Sequence, residues 1–164
     1  MKNNIVLIGM PGVGKSSAGV VLAKILGYEF IDSDLVIQKQ EKRLLKDIIA
    51  TEGNEGFLEI ENRINASLDV TNSVIATGGS VIYGEDAMNH LANIGTIVYL
   101  RATYQTIASR LSNLTGRGVA IKDGQSLYDL YKERTVLYEK YAEVTIDLDG
   151  LTIEETVNKI SKLL

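Results

Sequence analysis

The 164-residue chain has no cysteine and no tryptophan, and only one proline (Pro11) and one histidine (His90). Without thiols there is no disulfide framework and no thiolate metal site, and a lone imidazole cannot build a zinc centre. Positive charge is also short: 17 Lys and Arg stand against 21 Asp and Glu, a formal net charge of −4, whereas a nucleic-acid binder carries a basic face. No apolar run approaches the roughly 20 residues of a spanning helix. The run at 5–8 after Lys2-Asn3-Asn4 is too short for a signal peptide and ends in a glycine loop. These absences predict a cytoplasmic protein with no membrane or nucleic-acid partner; a monomer is favoured over an oligomer, although no sequence feature fixes the oligomeric state. Lacking repeats, low-complexity tracts and linkers, the chain is expected to form one domain over 1–164.

What is present suffices for a core, with 45% hydrophobic and 23% charged residues. Short β-branched runs at 5–8, 73–76, 96–100 and 144–147, with a weaker one at 29–32, read as strands buried on both faces. Helical patterns lie between and after them, at 16–26, 34–52, 54–68, 87–91, 104–112, 125–141 and 153–164. Strands alternating with helices imply right-handed crossovers and an α/β fold, a three-layer sandwich of helices around a mostly parallel sheet.

Directly after the first strand, Gly9-Met-Pro-Gly-Val-Gly-Lys15-Ser16 fits the phosphate-loop pattern G-x-x-x-x-G-K-[ST], and a helix follows at once. Glycines let the backbone turn sharply and aim N–H groups at a polyphosphate on a helix N-terminus. Gly12, Val13, Gly14, Lys15, Ser16 and Ser17 are therefore the expected ATP contacts. Lys15, taken as an exposed loop lysine, reaches the β- and γ-phosphates, and Ser16 completes the coordination of Mg²⁺. No T/N-K-x-D segment selects guanine, so a small-molecule kinase fits best.

Phe30-Ile-Asp32-Ser-Asp34 puts two carboxylates at the carboxyl end of the second strand, where open parallel sheets bind ligands. Asp32 is a candidate metal ligand and Asp34 a candidate base for an acceptor hydroxyl. The alternative is an aspartate capping the helix that begins near Leu35.

With these residues in place, the chain resembles the shikimate kinase family nearly end to end. The resemblance runs through Gly9 to Ser17, Asp32-Ser-Asp34, Gly53 with Phe57 and Glu61, Thr77-Gly78-Gly79, Arg110 with Arg117, and Arg134-x-x-x-Tyr138-x-x-x-Ala142. It implies a P-loop kinase fold with a five-stranded parallel sheet and a mobile lid, about 112–125, and transfer from ATP to the 3-hydroxyl of shikimate. By the same resemblance Asp34, Gly78, Gly79 and Arg134 bind the acceptor, Arg134 through its carboxylate. Arg110 and Arg117 meet the nucleotide, and Arg117 joins Lys15 and Asp34 as catalytic. On the residues alone, Arg134 reads equally as a solvated helix arginine, and Arg110 reads first as a helix-surface residue.

The family pattern G-E-x-x-F-R-x-x-E departs here, with Leu58 in place of its arginine. The glycine triplet reads Gly78-Gly79-Ser80, and Gly118 follows Arg117 where the family usually has proline. Arg63, about 140° round the helix from Leu58, is expected to face elsewhere. Two alternatives therefore stand beside a shikimate kinase: a kinase for another small hydroxylated acceptor, and a nucleotide-binding regulatory module with little turnover.

Overall fold

The central strand β1 (Asn4–Ile8) is buried along its whole length, as expected of a strand covered by helices on both faces. The computed structural model describes residues 2–112 and 124–164, and among these are five strands and seven α-helices. The remaining strands are β2 (Glu29–Asp32), β3 (Ser73–Ala76), β4 (Gly95–Arg101) and β5 (Val144–Asp147). All pair in parallel in the order β2-β3-β1-β4-β5, which confirms the α/β sandwich.

Helices α1 (Lys15–Leu26) and α7 (Ile153–Leu163) pack together on one face of the sheet. α3 (Leu45–Ala66), α4 (Glu85–Ile94) and α6 (Leu127–Tyr141) make the other layer, with α2 (Ser33–Glu41) against α3 and α5 (Tyr104–Ser112) against α6. Gly19 lets α1 approach β2 closely, because a Cβ there would stand 2.7 Å from the Phe30 ring.

At the amino ends of the strands Asn4, itself buried, ties three neighbours together. Its Nδ2 donates to the carbonyls of Val70 and Ile94 at 2.9 and 3.0 Å, and its Oδ1 accepts the Ser73 N–H at 2.9 Å.

The single helix expected over 34–52 is instead two. Lys42 takes a left-handed conformation at φ 55° and ends α2, and α3 begins at Leu45. The Gln38 side chain makes the corner tenable by accepting the Leu45 N–H at 3.0 Å through Oε1. The break expected between 52 and 54 survives as a kink at Gly53, φ 74°, inside one continuous α3. A 3₁₀ turn at Val81–Tyr83, absent from the sequence reading, follows β3.

Candidate active site

Gly9 leaves β1 so close to β4 that a Cβ would stand 2.7 Å from the Leu100 carbonyl oxygen. Gly12 and Gly14 follow with φ of 78° and 102°, and the Gly14 carbonyl accepts the Ala18 N–H at 2.9 Å to start α1. The loop thus delivers its backbone to a helix N-terminus, the arrangement that cradles phosphate. Lys15 is buried, a correction to its reading as an exposed lysine. Its Nζ donates to the carbonyls of Gly9 and Met10 at 2.7 and 2.9 Å, which orders the ammonium over its own loop.

The Ser16 hydroxyl donates to Asp32 Oδ2 at 3.5 Å. The other oxygen, Asp32 Oδ1, accepts from the N–H groups of Asp34 at 3.0 Å and Leu35 at 3.4 Å. The cap reading of this aspartate is borne out: Oδ1 caps α2, while Oδ2 is turned toward Ser16 of the phosphate loop. Ser16 and Asp32 form a hard-oxygen pair that suits Mg²⁺.

A cavity of about 570 Å³ runs from this loop along Asp32 and Asp34 to Gln38 and the Leu44-Leu45-Lys46 corner. Phe57 and Glu61 of α3 and the Thr77-Gly78-Gly79-Ser80 segment complete its wall. Asp34 Oδ1 and Glu61 Oε2 lie 2.7 and 2.8 Å from the point a Gly78 Cβ would occupy, so any side chain there would displace both carboxylates. Gly79 is as confined, its virtual Cβ being 2.7 Å from Pro11 Cδ and 2.9 Å from Arg134 Nη1.

Glu61 is 1% exposed. Ser80 Oγ donates to its Oε1 at 2.6 Å, while Oε2 has no hydrogen-bond partner among the described residues. Burial pushes the Glu61 carboxyl up to about 7, opposed by the Ser80 hydroxyl. Asp34 raises it further, and Arg134 and Lys15 pull it down.

Arg134 is also 1% exposed, which removes its reading as a solvated helix arginine. Its guanidinium carbon lies 5.5 Å from the Tyr83 ring centroid, and one turn on, the Tyr138 hydroxyl donates to the Gly79 carbonyl at 2.5 Å. The arginine stands behind Gly79 and does not itself line the cavity. Leu58 is half-buried against Ile37, Ile48, Phe57 and Ile64, also off the cavity wall. Arg63 points away, as expected, and pairs with Glu41 at 3.4 Å.

Arg110 does more than lie on the helix surface: its Nη1 donates to the carbonyls of Gly12 and Val13 at 3.3 and 2.9 Å, bracing the loop from outside. It lines a second cavity of about 410 Å³ with Leu148, Leu151 and Thr156, and this cavity shares Gly12, Gly14 and Ser17 with the first. Arg117 and most of the expected 112–125 lid lie outside the described residues.

The cavity also takes in Gln38, Lys46 and Glu61, to which the sequence reading assigned no site role. For Glu61 a signal was available, since it sits four residues from Phe57 on one helix and both line the cavity.

A parallel sheet that ends in a phosphate loop, with paired carboxylates at the carboxyl ends of its strands, defines a P-loop kinase, an ATP-dependent enzyme acting on an alcohol group. The family model for shikimate kinase matches residues 11–164. A shikimate kinase of Francisella tularensis subsp. novicida is 40% identical over 165 residues, covering 98% of this chain and 94% of that protein. One from Thermodesulfovibrio yellowstonii is 39% identical over 162 residues, covering 97% and 93%. Among solved structures, the shikimate kinase of Acinetobacter baumannii in complex with shikimate superposes with a TM-score of 0.89 at 31% identity, over 99% of this chain and 93% of that one. This chain belongs to the shikimate kinase family. A gluconokinase from Sinorhizobium meliloti, at 20% identity and a TM-score of 0.57, shares the fold.

Proposed function

We propose that this protein transfers the γ-phosphoryl group of ATP to the 3-hydroxyl of shikimate. The observation that carries the reading is the single cavity in which Lys15, Ser16 and Asp32 of the phosphate side meet Asp34, Gly78 and Gly79 of the acceptor side. In-line transfer needs donor and acceptor held in one water-poor cleft, and this one joins the two.

In this reading the loop N–H groups from Gly12 to Ser17 hold the phosphates, and Lys15 meets charge that grows on the transferring group. Asp34 accepts the proton of the acceptor hydroxyl as the oxygen–phosphorus bond forms. Ser16 and Asp32 would hold Mg²⁺, which supplies charge neutralisation between the β- and γ-phosphates. Arg110 and the apolar cavity beyond Val13 receive the nucleoside end. Arg117, by resemblance, offsets charge on the phosphoryl group from the lid. Arg134 gives its guanidinium to the acceptor's carboxylate beside Gly79.

A coupled assay with ATP, Mg²⁺ and a panel of acceptors tests the reading. Turnover of shikimate well above that of other polyols is expected. Turnover confined to a different hydroxylated acceptor would transfer the assignment to that compound. Tight ATP binding with no turnover on any acceptor would favour a regulatory module.

A further inference from the structure

An acceptor that carries a carboxylate brings an unpaired negative charge into a cleft already holding Asp32, Asp34 and Glu61. The cations able to answer it are few. Leu58 occupies the family's arginine position and packs with Phe57 and Ile37, away from the cavity. Arg63 is exposed and tied to Glu41. Arg134 is buried behind Gly79. Among the described residues that line the cavity only two are cations, and the first, Lys15, is held by the Gly9 and Met10 carbonyls within the phosphate loop. The second is Lys46.

We infer that Lys46 is a specificity-determining residue that supplies positive charge for the acceptor's carboxylate from the cavity wall itself, adding to the buried Arg134 of the proposed reading, in place of a cation at position 58. The inference rests on the proposed shikimate reading. Lys46 is the second residue of α3, at the corner where Lys42 turns left-handed and Gln38 accepts the Leu45 N–H. That corner swings the start of α3 over the cavity, so Gln38, Leu44, Leu45 and Lys46 all stand on its wall. Among the described residues no carboxylate pairs with Lys46, which leaves its ammonium available to a ligand. The side chain is exposed, so its pull is screened by salt and amounts to a modest, tunable attraction, unlike a buried clamp.

The test compares wild type with Lys46→Ala and Lys46→Arg, on shikimate and on its uncharged methyl ester. Lys46→Ala is expected to raise the KM for shikimate by about five- to tenfold while kcat and the KM for ATP stay within about twofold. Lys46→Arg should keep the wild-type KM, and the ester should show no difference between lysine and alanine. Added salt should raise the shikimate KM of wild type more than that of Lys46→Ala. If wild type turns over shikimate and Lys46→Ala leaves its KM unchanged, or shifts the ester's KM equally, the inference is wrong while the functional reading stands. If wild type does not turn over shikimate at all, the functional reading fails and the inference falls with it.

Discussion

The phosphate side of the cleft is made from one contiguous run of backbone, whereas the acceptor side is assembled from side chains on α2, α3 and the segment after β3, with α6 behind them. In the proposed reading, backbone from Gly9 to Ser16 holds the phosphates through glycine geometry and a helix N-terminus, with Arg110 of α5 bracing Gly12 and Val13. The acceptor wall depends on every element that brings a side chain to it. By the resemblance, the chain keeps the phosphate-loop pattern and differs at Leu58 and Ser80 on the acceptor elements, and at Gly118 after Arg117.

Substitutions that separate the two sides sharpen this contrast. The largest effect is expected from Lys15→Ala, with turnover lower by about a thousandfold or more. Circular dichroism should show the secondary structure retained. Activity within a few fold of wild type would remove Lys15 from the transfer step. Next comes Asp34→Asn, which keeps the shape and removes the proton acceptor. Here kcat should fall by about a hundred- to ten-thousandfold while ATP affinity, measured by calorimetry, stays near wild type. A loss confined to ATP binding would place Asp34 on the phosphate side.

Glu61 offers a test of the acceptor wall by stability alone. Burial pushes its carboxyl up from the ordinary 4.5 to about 7, so the folded protein holds that proton more tightly than the unfolded chain. Stability from this group is therefore full below about pH 4.5 and is lost as pH rises to about 7, to a total of about 3 kcal/mol. Glu61→Gln should flatten that part of the pH–stability curve in denaturant melts. A curve as steep as wild type's would refute the buried, proton-retaining state. The smallest effect is expected from Leu58→Arg: the position lies off the cavity wall, so the shikimate KM should stay within about twofold, and a tenfold fall would put position 58 within reach of the acceptor. Lost packing against Phe57 and Ile64 should cost about 1 kcal/mol of stability.

Legibility in the sequence followed the same division. The phosphate loop could be read because its chemistry lies in consecutive residues, and β1, β3 and β4 because each is a short apolar run; the edge strands β2 and β5, expected to be buried on both faces, instead expose Glu29, Thr145 and Asp147, since an edge strand is covered less completely. The end of α2 could not be read, because Gln38 to Lys46 holds no glycine, proline or asparagine and Lys42 adopts its left-handed turn without a local signal. Arg134 looked equally suited to solvent until packing placed Tyr83, Tyr138 and Gly79 around it. Lys46 and Glu61 acquire meaning only from the tertiary fold, which brings residues from Pro11 to Ser80 onto one cavity wall.

Asn4 bears on a different matter, the alignment of the strands. β1 is apolar on both faces, so side-chain pattern alone gives a sliding strand little reason to stop at one register over the next. The asparagine's amide meets fixed partners at Val70, Ser73 and Ile94, and a one-residue slip would strand those groups in a dry environment. It therefore works as an index pin at the far end of the sheet, keeping the opposite ends of β1, β3 and β4 level. Asn4→Leu would preserve hydrophobicity and remove the pin. The ruler that sets where catalytic loops begin thus lies a full strand length away from them.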